Sequence, residues 1–138
     1  MCIRDSILIV TESIFSMDGD AARLEEIVEM KERYGGWLLV DEAHATGLYG
    51  ETGAGLVAEM GLSGRIEIVM GTLSKALGSV GGYITGSRAL IDWLANRARS
   101  FIYSTALPPG VIGASRAAVN LARSDEGAVL RELSLIHI

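Results

Sequence analysis

The sequence predicts an α/β fold, a mixed and mostly parallel sheet with flanking helices. Short apolar runs rich in Val, Ile and Leu, at residues 7–10, 37–40 and 66–70, read as buried parallel strands, which are continuously apolar rather than alternating. Helical periodicity fills the gaps between them, so strand, helix and strand follow one another with the short connections of right-handed parallel crossovers. Residues 83–85 come too soon after Met70 for a helical crossover and so predict an antiparallel strand beside the third.

Taken in order, the first strand ends on residues 11–16. Met17, Asp18 and Gly19 then supply turn chemistry, and Asp20 is placed to cap a helix over 21–34. In that helix Leu24, Ile27 and Val28 share a face, Glu25, Glu29 and Arg33 lie toward water, and Gly35-Gly36 offers a left-handed stop. The second strand follows, then a stretch with Gly47, Gly50, Gly53 and Gly55 that suits close approach of a ligand or a partner subunit. A short helix over 56–60 leads to the third strand. After the antiparallel strand, Ser87 caps an amphipathic helix with Leu90, Ile91 and Leu94 inward. Residues 101–103 read as a fifth strand that Pro108-Pro109 stops, and a last helix spans 110–123. There is no internal repeat.

At 138 residues the chain is one domain or a piece of one. Its formal net charge of −5, from 12 Lys+Arg against 17 Asp+Glu, argues against nucleic acid as a partner, because such binders concentrate positive charge. Mean hydropathy is +0.34, yet no apolar run approaches the roughly 18 residues of a membrane span, so no membrane partner is expected. One cysteine, Cys2, excludes a disulfide framework and points to a reducing compartment, the cytoplasm.

The chemistry concentrates at two places. Lys75 sits in the small-residue loop Gly71-Thr72-Leu73-Ser74-Lys75-Ala76-Leu77-Gly78 after the third strand, and Asp41 ends the second strand with His44 three residues on. A lysine attacks a carbonyl only when neutral, so this reading expects burial or a nearby cation to lower its pKa. In open α/β sheets, ligands sit beyond the carboxyl ends of the strands, where both groups would lie. A carboxylate and a lysine there are the two groups pyridoxal phosphate requires, one for the pyridinium nitrogen and one for the Schiff base. Each residue also has a plain reading. Asp41 could be a turn aspartate, Lys75 an exposed loop lysine, and His44 a hydrogen-bonding loop residue. The run Val40-Asp41-Glu42-Ala43-His44 also matches a DEAH-type magnesium motif of ATP-driven helicases, although no phosphate loop of that class is present.

Four motifs in register make a more specific signal: residues 10–20 around Ser16, Asp41-Glu42-Ala43-His44, Gly71-Thr72-Leu73-Ser74-Lys75-Ala76, and Ser104-Thr105-Ala106-Leu107-Pro108-Pro109. In order and spacing they resemble the α-oxoamine synthases, pyridoxal-phosphate enzymes of aminotransferase fold type I. The resemblance runs from about residue 7 to 123. It implies a PLP-dependent C-acyltransferase that condenses an amino acid with an acyl-CoA or its acyl carrier protein equivalent, as a homodimer with its active site at the subunit interface. It implies Lys75 as the Schiff-base lysine and general base, Asp41 on the pyridinium nitrogen, and His44 and Ser16 near the phenolic oxygen. Thr72 and Ser74 would hold the phosphate, and Ser104 and Thr105 would reach a neighbouring subunit's phosphate. For these hydroxyls the plain alternative is a bond to their own backbone. Residues 7–132 would form part of the PLP-binding large domain. Residues 1–6 and 133–138, with Cys2 and His137, depart from the pattern and are expected to be non-native ends.

Overall fold

In a computed structural model that describes residues 6–136, the strands are β1 (Leu8–Glu12), β2 (Trp37–Asp41), β3 (Ile68–Thr72) and β4 (Gly82–Gly86). The helices are α1 (Leu24–Tyr34), α2 (Leu56–Glu59), α3 (Arg88–Arg97), α4 (Arg99–Ile102), α5 (Pro109–Ala122) and α6 (Asp125–Ile136). The sheet order is β1-β2-β3-β4. β2 runs parallel to β1 and β3, while β4 is antiparallel to β3 with Met70 opposite Ile84, so the mixed sheet is as expected.

The core lies on one face. Leu38 and Val40 of β2 and Leu24 and Val28 of α1 are fully buried, and Ile14, Leu56, Val57, Leu62 and Ile66 complete the cluster. Burying each such side chain stabilises the fold by about 1.5–3 kcal/mol. The apolar residues on the other face are only partly covered, and Leu8, Val10 and Ile84 stay exposed. The expectation of strands buried on both sides therefore holds on the α1 side alone.

Several local expectations are corrected. α1 starts at Leu24, not at residue 21, because the preceding segment folds back on itself. Ala21 bridges Ile14, the Asp20 carbonyl takes the Phe15 amide (2.9 Å), and the helix opens on Arg23 with no side-chain cap. Its end is as read, with Gly35 left-handed at φ 66°. β3 starts at Ile68 because Ile66 turns into the core and the Glu67 carboxylate takes the place of a ladder partner. Glu67 accepts the Leu38 amide at 2.8 Å and the Lys31 ammonium at 2.6 Å.

Ser87 does cap α3, accepting the Leu90 amide at 3.3 Å. The fifth strand is absent. Phe101 and Ile102 donate to the Ala98 carbonyl and Tyr103 to that of Arg99, so local helical bonds prevail over the β preference of the aromatic run. Pro109 opens α5 in the first turn, where its missing N–H costs nothing. α6 was not anticipated, although Ser124, which accepts the Gly127 amide at 3.2 Å, and the acidic pair Asp125-Glu126 are a start signal.

α6 runs on through Leu133 and Ile136, in the segment expected to be foreign, while residues 1–5 and His137 lie outside the described residues. Among the described residues no helix is long and apolar enough to cross a membrane.

Candidate active site

Because β1, β2 and β3 run in one direction, their C-terminal ends share an edge. Backbone bonds extend the ladder past the strands: Ser13 N–H donates to the Asp41 carbonyl (2.9 Å) and Glu42 N–H to that of Met70 (2.7 Å). Side chains alternate along a strand, so Asp41 points away from the face on which Leu38 and Val40 meet α1. Met70 is paired with Asp41, and Thr72, two residues on, shares that open face. Asp41 and the root of the Lys75 loop thus stand on adjacent strands, at one edge and on one side of the sheet.

Asp41 is half-buried, and its Oδ1 accepts the Ala43 amide at 2.8 Å. The bond fixes the carboxylate and leaves Oδ2 without a protein donor among the described residues. Glu42, next along, points into the protein and is 1% exposed. His44 is half-buried, and its ring makes no hydrogen bond among the described residues.

Lys75 rides on a closed loop. The Leu73 amide donates to the Gly81 carbonyl (2.9 Å), the Ser79 amide to that of Leu73 (2.8 Å), and the Gly78 amide to that of Lys75 (2.9 Å). Thr72 organises the start: its hydroxyl donates to the Gly81 carbonyl at 3.1 Å and accepts the Ser74 amide at 3.2 Å. With its single proton committed to Gly81, Thr72 can only accept from the Ser74 hydroxyl, 2.7 Å away. The amides of Lys75 and Ala76 donate to no protein acceptor among the described residues, so they form an open, anion-receptive turn. Lys75 itself is exposed. The burial expected of it is therefore not supplied by this chain's described residues.

Two contacts join the lysine loop and the strand after it to the segment after Asp41. Thr46 donates its hydroxyl to the Glu42 carbonyl (2.9 Å) and so accepts from Tyr83 Oη of β4 at 3.1 Å. Gly71 permits this, since a Cβ there would fall 2.3 Å from the Tyr83 oxygen and 2.8 Å from Thr46 Oγ1. Gly47 meets the loop itself, where a Cβ would lie 3.0 Å from that of Ala76.

Of the other expected residues, Ser16 is exposed in the turn beyond β1, at the same edge. Ser104 and Thr105 are exposed between α4 and α5, and the Ser104 hydroxyl donates to the Ser100 carbonyl within its own turn. Their segment reaches the lysine loop through Leu107, whose Cδ1 would be 3.2 Å from a Cβ on Gly81. Sequence reasoning missed Thr46, Tyr83 and Ser13. Thr46 and Tyr83 are single hydroxyls outside the four motifs, Ser13 lies inside the first motif but was given no role there, and only the pairing of β3 with β4 could have pointed to Tyr83.

Comparison with known proteins agrees with this fold. Residues 2–129 match the family model described as aminotransferase class I and II. The chain is 54% identical over 125 residues to the 8-amino-7-oxononanoate synthase of Geobacter metallireducens, covering 91% of this chain and 32% of that protein. It is 51% identical over 126 residues to the synthase of the same name from Thermoanaerobacter pseudethanolicus, again covering 91% and 32%. Among solved structures, a serine palmitoyltransferase of Sphingomonas wittichii superposes with a TM-score of 0.79 at 34% identity, over 84% of this chain and 29% of that one. The 8-amino-7-oxononanoate synthase of Francisella tularensis gives 0.72 at 30%, over 86% and 35%. A high-resolution structure of SPT with PLP as the internal aldimine gives 0.82 at 33%, over 90% and 31%. The chain thus spans about a third of the length of the curated relatives it matches. A match over nearly the whole chain leaves no room for the helicase reading of residues 40–44, and the chain belongs to the aminotransferase class I and II family, on the type I fold of pyridoxal-phosphate enzymes.

Proposed function

We propose that this chain supplies the cofactor-binding part of a pyridoxal-phosphate acyltransferase that joins an amino acid to an acyl-CoA, or its acyl carrier protein equivalent, with loss of carbon dioxide and release of CoA as a thiol. The product is an amino ketone. One observation carries the reading: Asp41 and the Lys75 loop occupy adjacent strand ends on the same open side of the sheet. The residues fit the cofactor. Asp41 Oδ2 is open to a ring N–H, a charge-assisted bond of roughly 1.5–3 kcal/mol. The amides of Lys75 and Ala76, with the Ser74 hydroxyl, can donate to a phosphate, whereas Thr72 holds the loop and would have to release Gly81 to do so.

Pyridoxal phosphate, when bound, supplies an electron sink for the charge left at the amino acid's Cα. Lys75 Nζ would hold the cofactor and would take the Cα proton as general base. His44 and Ser16 serve the phenolic oxygen. Ser104 and Thr105 serve a partner subunit's phosphate in a homodimer, which would account for their exposure here. The enzyme would be cytoplasmic.

Within this class we favour 8-amino-7-oxononanoate synthase, acting on alanine and pimeloyl-CoA in biotin formation, because relatives of that name share half or more of the aligned residues. The siblings 5-aminolevulinate synthase, 2-amino-3-ketobutyrate CoA ligase and serine palmitoyltransferase would use other pairs. The test is CoA release by a protein of the relatives' full length carrying these residues, assayed over a panel of amino acid and acyl-CoA pairs. Release with alanine and pimeloyl-CoA supports the assignment, and release only with glycine contradicts it.

A further inference from the structure

Among the described residues Glu42 is the one large ionisable side chain buried to 1% exposure beside the proposed site, and the roles above leave it unused. Its surroundings are specific. Oε1 accepts the Val57 amide at 3.0 Å, with the Leu56 amide close by. Gly55, at φ 113°, closes over the carboxyl so tightly that a Cβ there would overlap Oε2 at 1.8 Å. The fully buried Ser13 hydroxyl faces the carboxyl from the end of β1. Yet neither Ser13 Oγ nor Glu42 Oε2 completes a hydrogen bond. A serine hydroxyl can donate to a carboxylate or accept from a carboxylic acid, so Ser13 is compatible with either form. What disfavours the carboxylate is its setting, sealed by Gly55 and faced by no cationic side chain among the described residues, with Oε1 on one amide and Oε2 on none.

We propose that Glu42 is a positioning residue, held as a neutral carboxylic acid whose Oε1 accepts from Val57 and whose Oε2–H is directed at Ser13 Oγ. It thereby locks the ends of β1 and β2 and the turn before α2 around Asp41. Burial is the largest influence on its titration and pushes the carboxyl up from its ordinary 4.5, against the Val57, Ser13 and Leu56 contacts that lower it. The Asp41 charge raises it further, and no cationic side chain acts on it among the described residues. Ionisation would put a charge with no cationic partner in a closed pocket and loosen the segment that carries Asp41.

This deepens the pyridoxal-phosphate reading, but its first measurement does not depend on that reading. Infrared spectra of the chain without cofactor, at neutral pH, should show a protonated-carboxyl stretch that vanishes in Glu42→Gln and shifts in Ser13→Ala. No such band, or one that Glu42→Gln leaves in place, overturns the proposal. Stability follows in sign. The contribution of a raised carboxyl is fully present below about 4.5 and is lost as pH rises through its folded value, so wild type weakens relative to Glu42→Gln as pH rises. Parallel profiles overturn the proposal. In the full-length protein, Glu42→Ala should weaken pyridoxal phosphate binding by about tenfold, the equivalent of about 1.4 kcal/mol, and Glu42→Gln, with a donor and an acceptor in the same places, should restore it. A Gln variant as weak as the Ala variant overturns the positioning role. If wild type binds no pyridoxal phosphate at all, the functional reading falls while the infrared result still decides the state of Glu42.

Discussion

Tyr83 Oη lies 3.1 Å from Thr46 Oγ1, and this bond joins the strand after the lysine loop to the segment after Asp41. It is a side-chain tie between the two halves of the proposed site, beside the backbone bond from Glu42 to Met70. Tyr83→Phe should lower stability by about 0.5–1.5 kcal/mol, the usual worth of one hydrogen bond, measured by chemical denaturation. Gly71→Ala should cost more, because its Cβ would collide with both hydroxyls. Equal effects from the two changes would mean that the oxygens, not the close approach, hold the loops together.

Lys31 and Glu67 form an ion pair at the opposite end of the sheet, with side-chain exposures of 7% and 30%. Burial raises the Glu67 carboxyl, but the Lys31 hydrogen bond, the Leu38 amide, its own backbone amide and the Lys31 charge together outweigh it and hold it below its ordinary 4.5. A depressed carboxyl stabilises above its unfolded value, and that contribution is lost as pH falls through the folded value. Glu67→Gln should therefore cost about 1–3 kcal/mol near neutrality, and the gap to wild type should close in acid below about 4.5. A gap that persists in acid would contradict the assignment.

Gly55→Ala tests the pocket around Glu42 from its other wall. The residue has φ 113°, and its Cβ would overlap the Glu42 carboxyl, so a loss of at least about 1–3 kcal/mol is expected from backbone strain alone. Thermal unfolding checks it. A variant as stable as wild type would mean that the turn before α2 is free to move away.

Much of this was legible in the sequence where local chemistry and tertiary need agree. The first two apolar runs, the left-handed stop at Gly35 and the Ser87 cap appear where residue preference put them, and the third run begins its strand two residues late, at Ile68. The proximity of residue 83 to Met70 was enough to predict an antiparallel β4. Errors arose where a distant partner decided. Asp20 gives its carbonyl to Phe15 instead of capping a helix, and Glu67 replaces a ladder partner. Phe101-Ile102-Tyr103 had a strand's composition but no strand to pair with. For the site, reading both residues as following parallel strand ends put Asp41 and the Lys75 loop at one edge, where the β2–β3 pairing has them. The exposure of Lys75 and the bond that takes up the Thr72 proton depend on three-dimensional surroundings that no motif encodes.

The central claim is that the amine of Lys75 and the carboxylate of Asp41 serve one cofactor, and the most direct measurement is covalent trapping. Pyridoxal phosphate is added to a full-length protein carrying these residues, the mixture is reduced with borohydride, and the modified peptide is mapped in wild type and in Lys75→Ala. The account predicts a pyridoxyl group on Lys75, loss of the visible absorption change in Lys75→Ala, and weakened binding in Asp41→Asn. A label on another lysine, or the same spectrum with and without Lys75, would contradict it.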